Sequence, residues 1–316
     1  MISEIIQAID EGRSFLITAH VRLDGDALGS ELAFYLMLRA MGKKAVVYNQ
    51  DRTPERYQFL PAAHQITHSL TNIEQYDTCI VLDCSDLSRV GDEADKLRKI
   101  KTLINIDHHV SNNGFCPLKM LDAKASSTGE LIFRLMREMN IKMTRDICTN
   151  LYAAIITDTG SFRYSSTTKE TFMAAGVLVG EGANPQRIAE GIYESDSPAR
   201  LKLLARALST LSLDLESKVG SMVVTQKDLQ EAGAAWEHTE GFVDIPRTVM
   251  GIEVSVLYTQ RGEDHFKLSL RSKAKFNVEK VARKFGGGGH IHASSCWMKG
   301  DIETIKSQII EAVREL

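Results

Sequence analysis

Several short apolar runs in this chain end the same way, on a carboxylate or an imidazole, and no other feature constrains its fold as strongly. Thr102-Leu103-Ile104-Asn105-Ile106 reads as a buried strand and ends on Asp107-His108-His109. Phe15 to Ala19 delivers His20, then Asp24 and Asp26; Cys79 to Leu82 delivers Asp83; Ala153 to Thr157 delivers Asp158. Polar side chains at the ends of several strands imply one cluster along a sheet edge. Open α/β sheets carry their active sites there.

Between these runs the apolar spacing is helical. Asp26 to Met41 places Leu28, Leu32, Phe34, Leu36 and Leu38 at helical intervals, with Gly42 as a stop. Ala45 to Tyr48 and Thr78 to Leu82 read as strands. Ser126 to Met139 and Arg145 to Thr157 read as helices, the second carrying Asp158 just past its end. The rhythm predicts an α/β fold with a mainly parallel sheet flanked by helices. From Thr168 to about Leu213 the pattern is nearly all helical. Val219 to Thr225, Ile252 to Thr259 and His265 to Arg271 then read as new strands, and Asn277 to Phe285 and Ile302 to Val313 as helices. Residues 1–190 are expected to form the first domain, 191–214 a helical linker, and 215–316 a smaller α/β domain.

A net charge of -3 argues against non-specific binding of long nucleic acid, which calls for a basic excess. It leaves room for a small anionic ligand held by local arginines and metal ions. The N-terminus has no apolar core of signal-peptide type, and no stretch approaches the roughly 18 apolar residues of a membrane span. Cys79, Cys84, Cys116, Cys148 and Cys296 are odd in number and lack CxxC spacing, so they read as reduced thiols. The expectation is a cytoplasmic protein with no membrane contact.

His20 and Asp24 are four apart and Asp26 stands two further on, so a tight loop gathers them around a common centre. Ordinary alternatives exist for single residues. Asp26 stands where a helix would begin and is a candidate N-cap. Asp83, followed by Ser85 and Asp86, is a candidate loop cap. A lone histidine is more often packed than ligating. The recurrence of such groups after several apolar runs favours metal binding. Neighbours on an extended chain point to opposite sides, so His108 and His109 have different tasks. Nitrogen and oxygen donors exclude a Cys-based zinc site and suit Mn2+ or Mg2+, with Fe2+, Co2+ or Zn2+ as alternatives. Four carboxylates exceed the needs of one divalent ion. Two ions roughly 3.5–4 Å apart are the economical reading; such a centre generates hydroxide at neutral pH and clamps an in-line phosphoryl displacement.

The set His20-x-x-x-Asp24-x-Asp26, Asp83, Asp107-His108-His109 and Asp158 resembles the four motifs of the DHH phosphoesterase superfamily, over residues 15–165. Four separated motifs in the right order make the resemblance specific. Leu23 departs from it, since many members have proline there, which bears on loop stiffness and not on ligand chemistry. By position, the resemblance implies that His20 and Asp24 bind one metal ion. Asp26, His108 and Asp158 bind the other, with Asp83 bridging. His109 would contact the phosphate or steer the nucleophilic water, and Asp107 would orient the histidine pair.

Gly286 to Gly289, followed by His290, costs backbone entropy. It reads either as a flexible loop or as backbone that approaches an anion closely. With Arg271-Ser272-Lys273 and the helical stretch before it, the run resembles the glycine-rich loop of a DHHA1 domain, over residues 215–316. That implies that Arg271, Ser272, Gly287, Gly288, Gly289 and His290 hold the substrate end remote from the scissile phosphate, across a cleft between the domains. Arg163 either adds a phosphate contact through its planar fork or makes a surface ion pair.

The two-domain layout is similar to the stand-alone bacterial nanoRNases. These degrade very short RNAs to mononucleotides and often dephosphorylate 3'-phosphoadenosine 5'-phosphate (pAp). The resemblance implies a Mn2+-dependent phosphoesterase for RNAs of two to about five nucleotides and for pAp, and it leaves a homodimer through the first domain open, with no stripe in the chain to establish it. A soluble phosphodiesterase for pApA, pGpG or cyclic di-AMP is a second reading. A nucleotide-sensing binding module is a third, against which the full set of ligand positions speaks.

Overall fold

Neighbouring parallel strands need a crossover between them, and the chain supplies one after each early strand. In the computed structural model, which describes residues 2–214, 216–273 and 275–316 and all their side chains except that of His290, the chain divides into two units, Met1–Ser195 and Asp196–Leu316. The first unit begins with α1 (Ile2–Glu11), β1 (Ser14–Thr18), α2 (Gly25–Ala40), β2 (Lys44–Tyr48), β3 (Ile66–Thr67) and β4 (Thr78–Leu82). It continues with α3 (Ala94–Leu97), β5 (Thr102–Asp107), β6 (Leu118–Leu121), α4 (Thr128–Glu138), α5 (Arg145–Asp158), α6 (Lys169–Gly180) and α7 (Pro185–Tyr193). The strands form one parallel sheet in the order β3-β2-β1-β4-β5-β6.

Alternate residues serve the two faces. Phe15 and Ile17 of β1 join the larger core with Ile5, Ile9, Leu28, Leu32, Leu131, Leu151 and Ile155 from the helices. Leu16 faces the other way and joins Cys79, Val81, Leu87 and Leu97. Two strands of this unit were not expected from the sequence. β3 has only two residues, and Lys119 interrupts the apolar character of β6.

α2 is buried almost all round its first half, from Gly25 to Phe34. Glycine makes this possible. A Cβ on Gly29 would stand 2.4 Å from the Asn150 carbonyl oxygen and 2.9 Å from the Ala154 methyl of α5. A Cβ on Gly129, in α4, would stand 2.4 Å from that same methyl. Ala154 therefore sits in a notch between two glycines, and three helices approach one another at backbone distance.

The second unit holds α8 (Pro198–Ser209), β7 (Ser212–Asp214), β8 (Val219–Val224), α9 (Gln226–Ala232), β9 (Val254–Gln260), β10 (His265–Ser272), α10 (Val278–Lys284), β11 (Gly288–His290), β12 (Ala293–Lys299) and α11 (Ile302–Arg314). Its sheet runs β11-β12-β10-β9-β8-β7, antiparallel except between β8 and β9. Val278, Val281, Ile305 and Ile309 cover one face and Leu203, Ala207 and Leu229 the other. Of the stretch 191–214, expected as a helical linker, residues through Ser195 fall in the first unit and α8 and β7 in the second. No helix among the described residues is long and apolar enough to cross a membrane.

The packing at Gly29 predicts a clear contrast. Gly29→Ala should cost about 1–3 kcal/mol by overpacking. Gly176→Ala, on an exposed helical position with nothing within 4 Å of the added Cβ, should add up to about 1 kcal/mol. Thermal unfolding followed by circular dichroism checks both; a Gly29→Ala protein that melts with the native one would refute the close packing.

Candidate metal centre

The strand order reverses between β1 and β4, and open parallel sheets bind ligands in the crevice at such a reversal. His20 follows β1 and Asp83 follows β4, so they flank that crevice from its two sides. Asp107 ends β5 and carries His108 and His109 into the next loop. Asp158 arrives on the last residue of α5. Of the two readings of residues 153–158, the helical one is what the structure has, because α5 continues unbroken from Arg145.

Two aspartates at the start of α2 divide the work. Asp24 is the N-cap of α2, its Oδ1 accepting from the Ala27 N–H at 3.0 Å. Asp26 does not cap its own helix. Its Oδ2 accepts from the Thr128 N–H at 2.7 Å and its Oδ1 from the Gly129 N–H at 2.9 Å, with the Ser30 hydroxyl adding a bond at 3.1 Å. Thr128 and Gly129 are the first residues of α4, whose N–H groups have no partner within the helix. Asp26 thus satisfies another helix's donors, where the helix dipole also favours a negative charge.

The histidine rings are aimed by backbone carbonyls. His20 Nδ1 lies 2.8 Å from the Val21 oxygen and His108 Nδ1 3.3 Å from the Ala125 oxygen. A carbonyl only accepts, so each Nδ1 carries the hydrogen and each Nε2 is left for the centre. His20 Nε2 stands 3.3 Å from Asp83 Oδ2 and 3.8 Å from Asp24 Oδ2. His108 Nε2 stands 3.3 Å from Asp158 Oδ2 and 3.7 Å from both Asp26 Oδ2 and Asp83 Oδ1. His109 Nδ1 lies 2.6 Å from Asp107 Oδ1 and 3.5 Å from Asp83 Oδ1.

Asp83 therefore presents its two oxygens to different sets of partners. It does so from a left-handed backbone, φ 53°, uncommon outside glycine but tolerated by aspartate. Thr128 Oγ1 donates to its Oδ1 at 2.9 Å. Asp107 is wholly buried. Asn112 Nδ2 donates to its Oδ2 at 2.6 Å and to Asn105 Oδ1 at 2.8 Å, while Asn105 Nδ2 donates to the Val81 and Cys84 carbonyls. Sequence reasoning did not single out Thr128, Gly129, Asn105 or Asn112. Ser127 followed by Glu130 was a visible helix-start pattern, but nothing local ties that start to Asp26 a hundred residues earlier.

Crowding shifts the titrations. Burial pushes Asp26 well above the usual carboxylate range, and Asp83, Asp158 and Asp24 add to the shift. Burial likewise pushes Asp158 up to about 7; His108 opposes this, and Asp83 and Asp24 reinforce it. Asp83 goes the other way. Burial works against its ionisation, but the hydrogen bond and charge of His20, with His109 and His108, hold it low. For His20 burial opposes protonation, yet the bond to Asp83 and the charges of Asp24 and Asp83 raise it to about 9.

These residues fit divalent ions. Three groups hold donor atoms that all lie within 4.8 Å of one another: His20, Asp24 and Asp83; Asp83, His108 and His109; and Asp26, His108 and Asp158. With bonds of about 2.0–2.2 Å, an ion holds neighbouring ligand atoms roughly 3–3.5 Å apart, close to the shorter separations here. A cation would also replace the protons that the crowded carboxylates otherwise retain.

The residues expected to bind substrate lie apart from this cluster in sequence and differ in what they can do. Arg163 follows α5, exposed, with Nε donating to the Gly160 carbonyl. Arg271 is half-buried on β10, with Nη1 donating to the Leu270 carbonyl at 3.1 Å. The Ser272 hydroxyl is buried and committed to the Phe276 carbonyl at 2.5 Å and His292 Nδ1 at 3.0 Å. Half of the glycine run is strand and half a turn leading into it. Gly288–His290 forms β11 and pairs with Ala293–Ser295 of β12. A Cβ on Gly287 would stand 2.1 Å from the Ser295 oxygen, and one on Gly289 2.5 Å from the Ala293 oxygen; at Gly288 it would meet nothing. Strand packing thus demands Gly287 and Gly289, whereas Gly288, like Gly286, is open. The His290 side chain lies outside the described residues.

Residues 14–155 match the DHH family, N-terminal domain, and residues 218–315 match the DHHA1 domain. A bifunctional oligoribonuclease and PAP phosphatase NrnA from Thermus thermophilus is 32% identical over 317 aligned positions, covering 100% of this chain and 93% of that protein. The chain belongs to the DHH family. A protein of the same name from Bacillus subtilis is 25% identical, covering 93% of this chain and 92% of its own. The crystal structure of an exopolyphosphatase-related protein from Bacteroides fragilis superposes with a TM-score of 0.94 at 27% identity, over 99% of this chain and 95% of that one. The DHH-family match begins with β1 and ends just short of Asp158, so it takes in every other candidate ligand.

Metal ligands must be deprotonated. Asp158 is pushed up to about 7 and His20 to about 9, so near neutral pH both groups hold protons that metal binding should release, and binding should tighten as pH rises from 6 towards 9. Titration calorimetry with Mn2+ in buffers of different ionisation enthalpy should show net proton release at pH 7. A heat independent of buffer would contradict the crowded-carboxylate description.

Proposed function

We propose that this DHH-family chain is a phosphoesterase that hydrolyses RNAs of two to about five nucleotides to mononucleotides, and pAp to AMP, with two Mn2+ ions. The observation that carries the reading is the Asp83 carboxylate, whose Oδ2 faces His20 and whose Oδ1 faces His108 and His109. In this reading His20 and Asp24 would hold one ion, Asp26, His108 and Asp158 would hold the other, and Asp83 would serve both. Ions held there would supply an activated water and would offset the charge that builds on phosphoryl oxygens during an in-line displacement.

The chain's own residues do the rest. The Val21 and Ala125 carbonyls keep both Nε2 atoms turned inward, so neither ring has to reorient when an ion arrives. Asp107, itself held by Asn112, fixes the His109 ring through Nδ1, and the ring so placed would contact the phosphate or steer the attacking water. Asp107 also favours a protonated ring: burial opposes protonation at His109, but that hydrogen bond and the Asp83 charge raise its pKa. Arg163, Arg271 and Gly288 would hold the part of the substrate that is not cut. The division into units goes with this, the first serving the metal ions and, through Arg163, a phosphate, and the second the rest of the substrate.

The substrate class draws support from the relatives. The T. thermophilus and B. subtilis proteins carry both activities in their names, and this chain spans nearly the whole of each. A two-metal centre of this type needs only a phosphorus to attack, so one site can serve a diester and a monoester.

The deciding assay offers a diribonucleotide, a five-residue RNA, a 24-residue RNA, pAp and cyclic di-AMP, with Mn2+ and with chelator. Mononucleotides should form fast from the two short RNAs and AMP from pAp, all lost with chelator, while the 24-residue RNA persists. Turnover confined to cyclic di-AMP or to dinucleotides would move the enzyme to signalling turnover. Asp83→Asn keeps the side-chain shape and should cost at least about 100-fold in rate, together with weaker Mn2+ binding; native turnover in that variant would rule out a bridging Asp83.

A further inference from the structure

Beside the donor groups lies a cation that they do not use. Arg89 sits in the short 3-10 turn Leu87–Val90, opened by Asp86, whose carboxylate accepts from the Ser88 N–H at 2.8 Å. The Arg89 carbonyl accepts from the Val21 N–H at 2.7 Å, next to His20. Its guanidinium Nη1 donates to Ser85 Oγ at 3.2 Å, two residues past Asp83. The Ser85 carbonyl in turn accepts from the Asn113 N–H at 3.1 Å, in the loop that follows His109. Arg89 is therefore tied, directly or through Ser85, to all three loops that bring His20, Asp83 and His109 together.

A guanidinium has five N–H donors. For Arg89 the bond to Ser85 is the one side-chain hydrogen bond among the described residues, and no carboxylate pairs with it. Arg134, Arg200, Arg206, Arg247 and Arg283 each find a carboxylate. Arg89 is half-buried, and its charge reaches His109, where it opposes protonation. Leaving a partly buried cation without a counter-ion is unfavourable unless an anion comes to it. The planar fork matches two oxygens of one phosphate group, and Ser85 turns the fork by holding one of its nitrogens.

We propose that Arg89 grips non-bridging oxygens of the scissile phosphoryl group and is a catalytic residue of the first unit. This rests on the phosphoesterase reading above. The fork would hold the group as charge grows on its oxygens, an interaction that strengthens in the transition state.

The test compares native protein, Arg89→Ala and Arg89→Lys on pAp and on a diribonucleotide. It adds Mn2+ binding by calorimetry, thermal melting, and inorganic phosphate binding to the Mn2+-loaded protein. Arg89→Ala should lose about 10²–10³-fold in kcat/KM on both substrates and bind phosphate more weakly, with Mn2+ affinity and melting unchanged. Arg89→Lys keeps the charge without the fork and should recover only part of the loss. Native kcat/KM in Arg89→Ala, or a loss that follows Mn2+ affinity or melting temperature, would overturn the proposal and leave Arg89 as a tie between loops. Should the native protein cleave no phosphoester at all, the phosphoesterase reading fails by itself. Phosphate binding by native protein and Arg89→Ala then still decides whether this arginine holds a phosphate.

Discussion

Mutual repulsion among buried carboxylates is the constraint around which the first unit is organised. Asp26, Asp83 and Asp158 lie close enough to perturb one another's titration, and burial strengthens the effect. A chain left to itself would spread such groups into water. Here two backbone N–H groups of α4 hold Asp26, Thr128 and the histidines hold Asp83, and the end of α5 brings in Asp158. The glycine notch around Ala154 is what allows α2, α4 and α5 to bring these groups together. Stability is thus given up locally and recovered in the packing beneath.

Much of this was legible in the chain. β1, β2, β4 and β5 are continuous apolar runs, which fully buried parallel strands must be, and their ends named His20, Asp83 and Asp107 directly. All six expected metal ligands fall in the three donor groups. What stayed hidden depends on contacts far apart in sequence. Thr128 and Gly129 look like an ordinary helix start, and only the fold brings Asp26 to them. Asn112 looks like a loop asparagine, and only burial turns it into the support of Asp107. Arg89 follows a serine-rich turn with no motif around it, so its lack of a carboxylate partner among the described residues cannot be seen without the neighbouring loops.

The second unit was harder to read, for a chemical reason. β12 alternates small and polar residues, Ala293-Ser294-Ser295-Cys296, and carries little of the β-branched or aromatic character that marks a strand. β11 consists of glycine and one histidine, a composition that favours a loop in isolation. Pairing decides otherwise: at Gly287 and Gly289 the neighbouring backbone comes so close that no side chain fits. Two of the four glycines that suggest freedom, Gly287 and Gly289, are there because the space is full. The Ser272 hydroxyl tells a similar story, since its place beside Arg271 suggests a ligand contact while its bonds hold the chain between Ser272 and His292 in shape.

Asp26 joins two events that are usually separate. One carboxylate receives the first N–H groups of α4 on one side and faces His108 and Asp158 on the other. Any ion drawn to that carboxylate pulls electron density away from the helix start, and any fraying of the helix start loosens the carboxylate. The amides of Thr128 and Gly129 would therefore be coupled to an ion bound there through a single side chain. Their exchange with solvent would serve as a built-in gauge of occupancy, readable without substrate and without turnover.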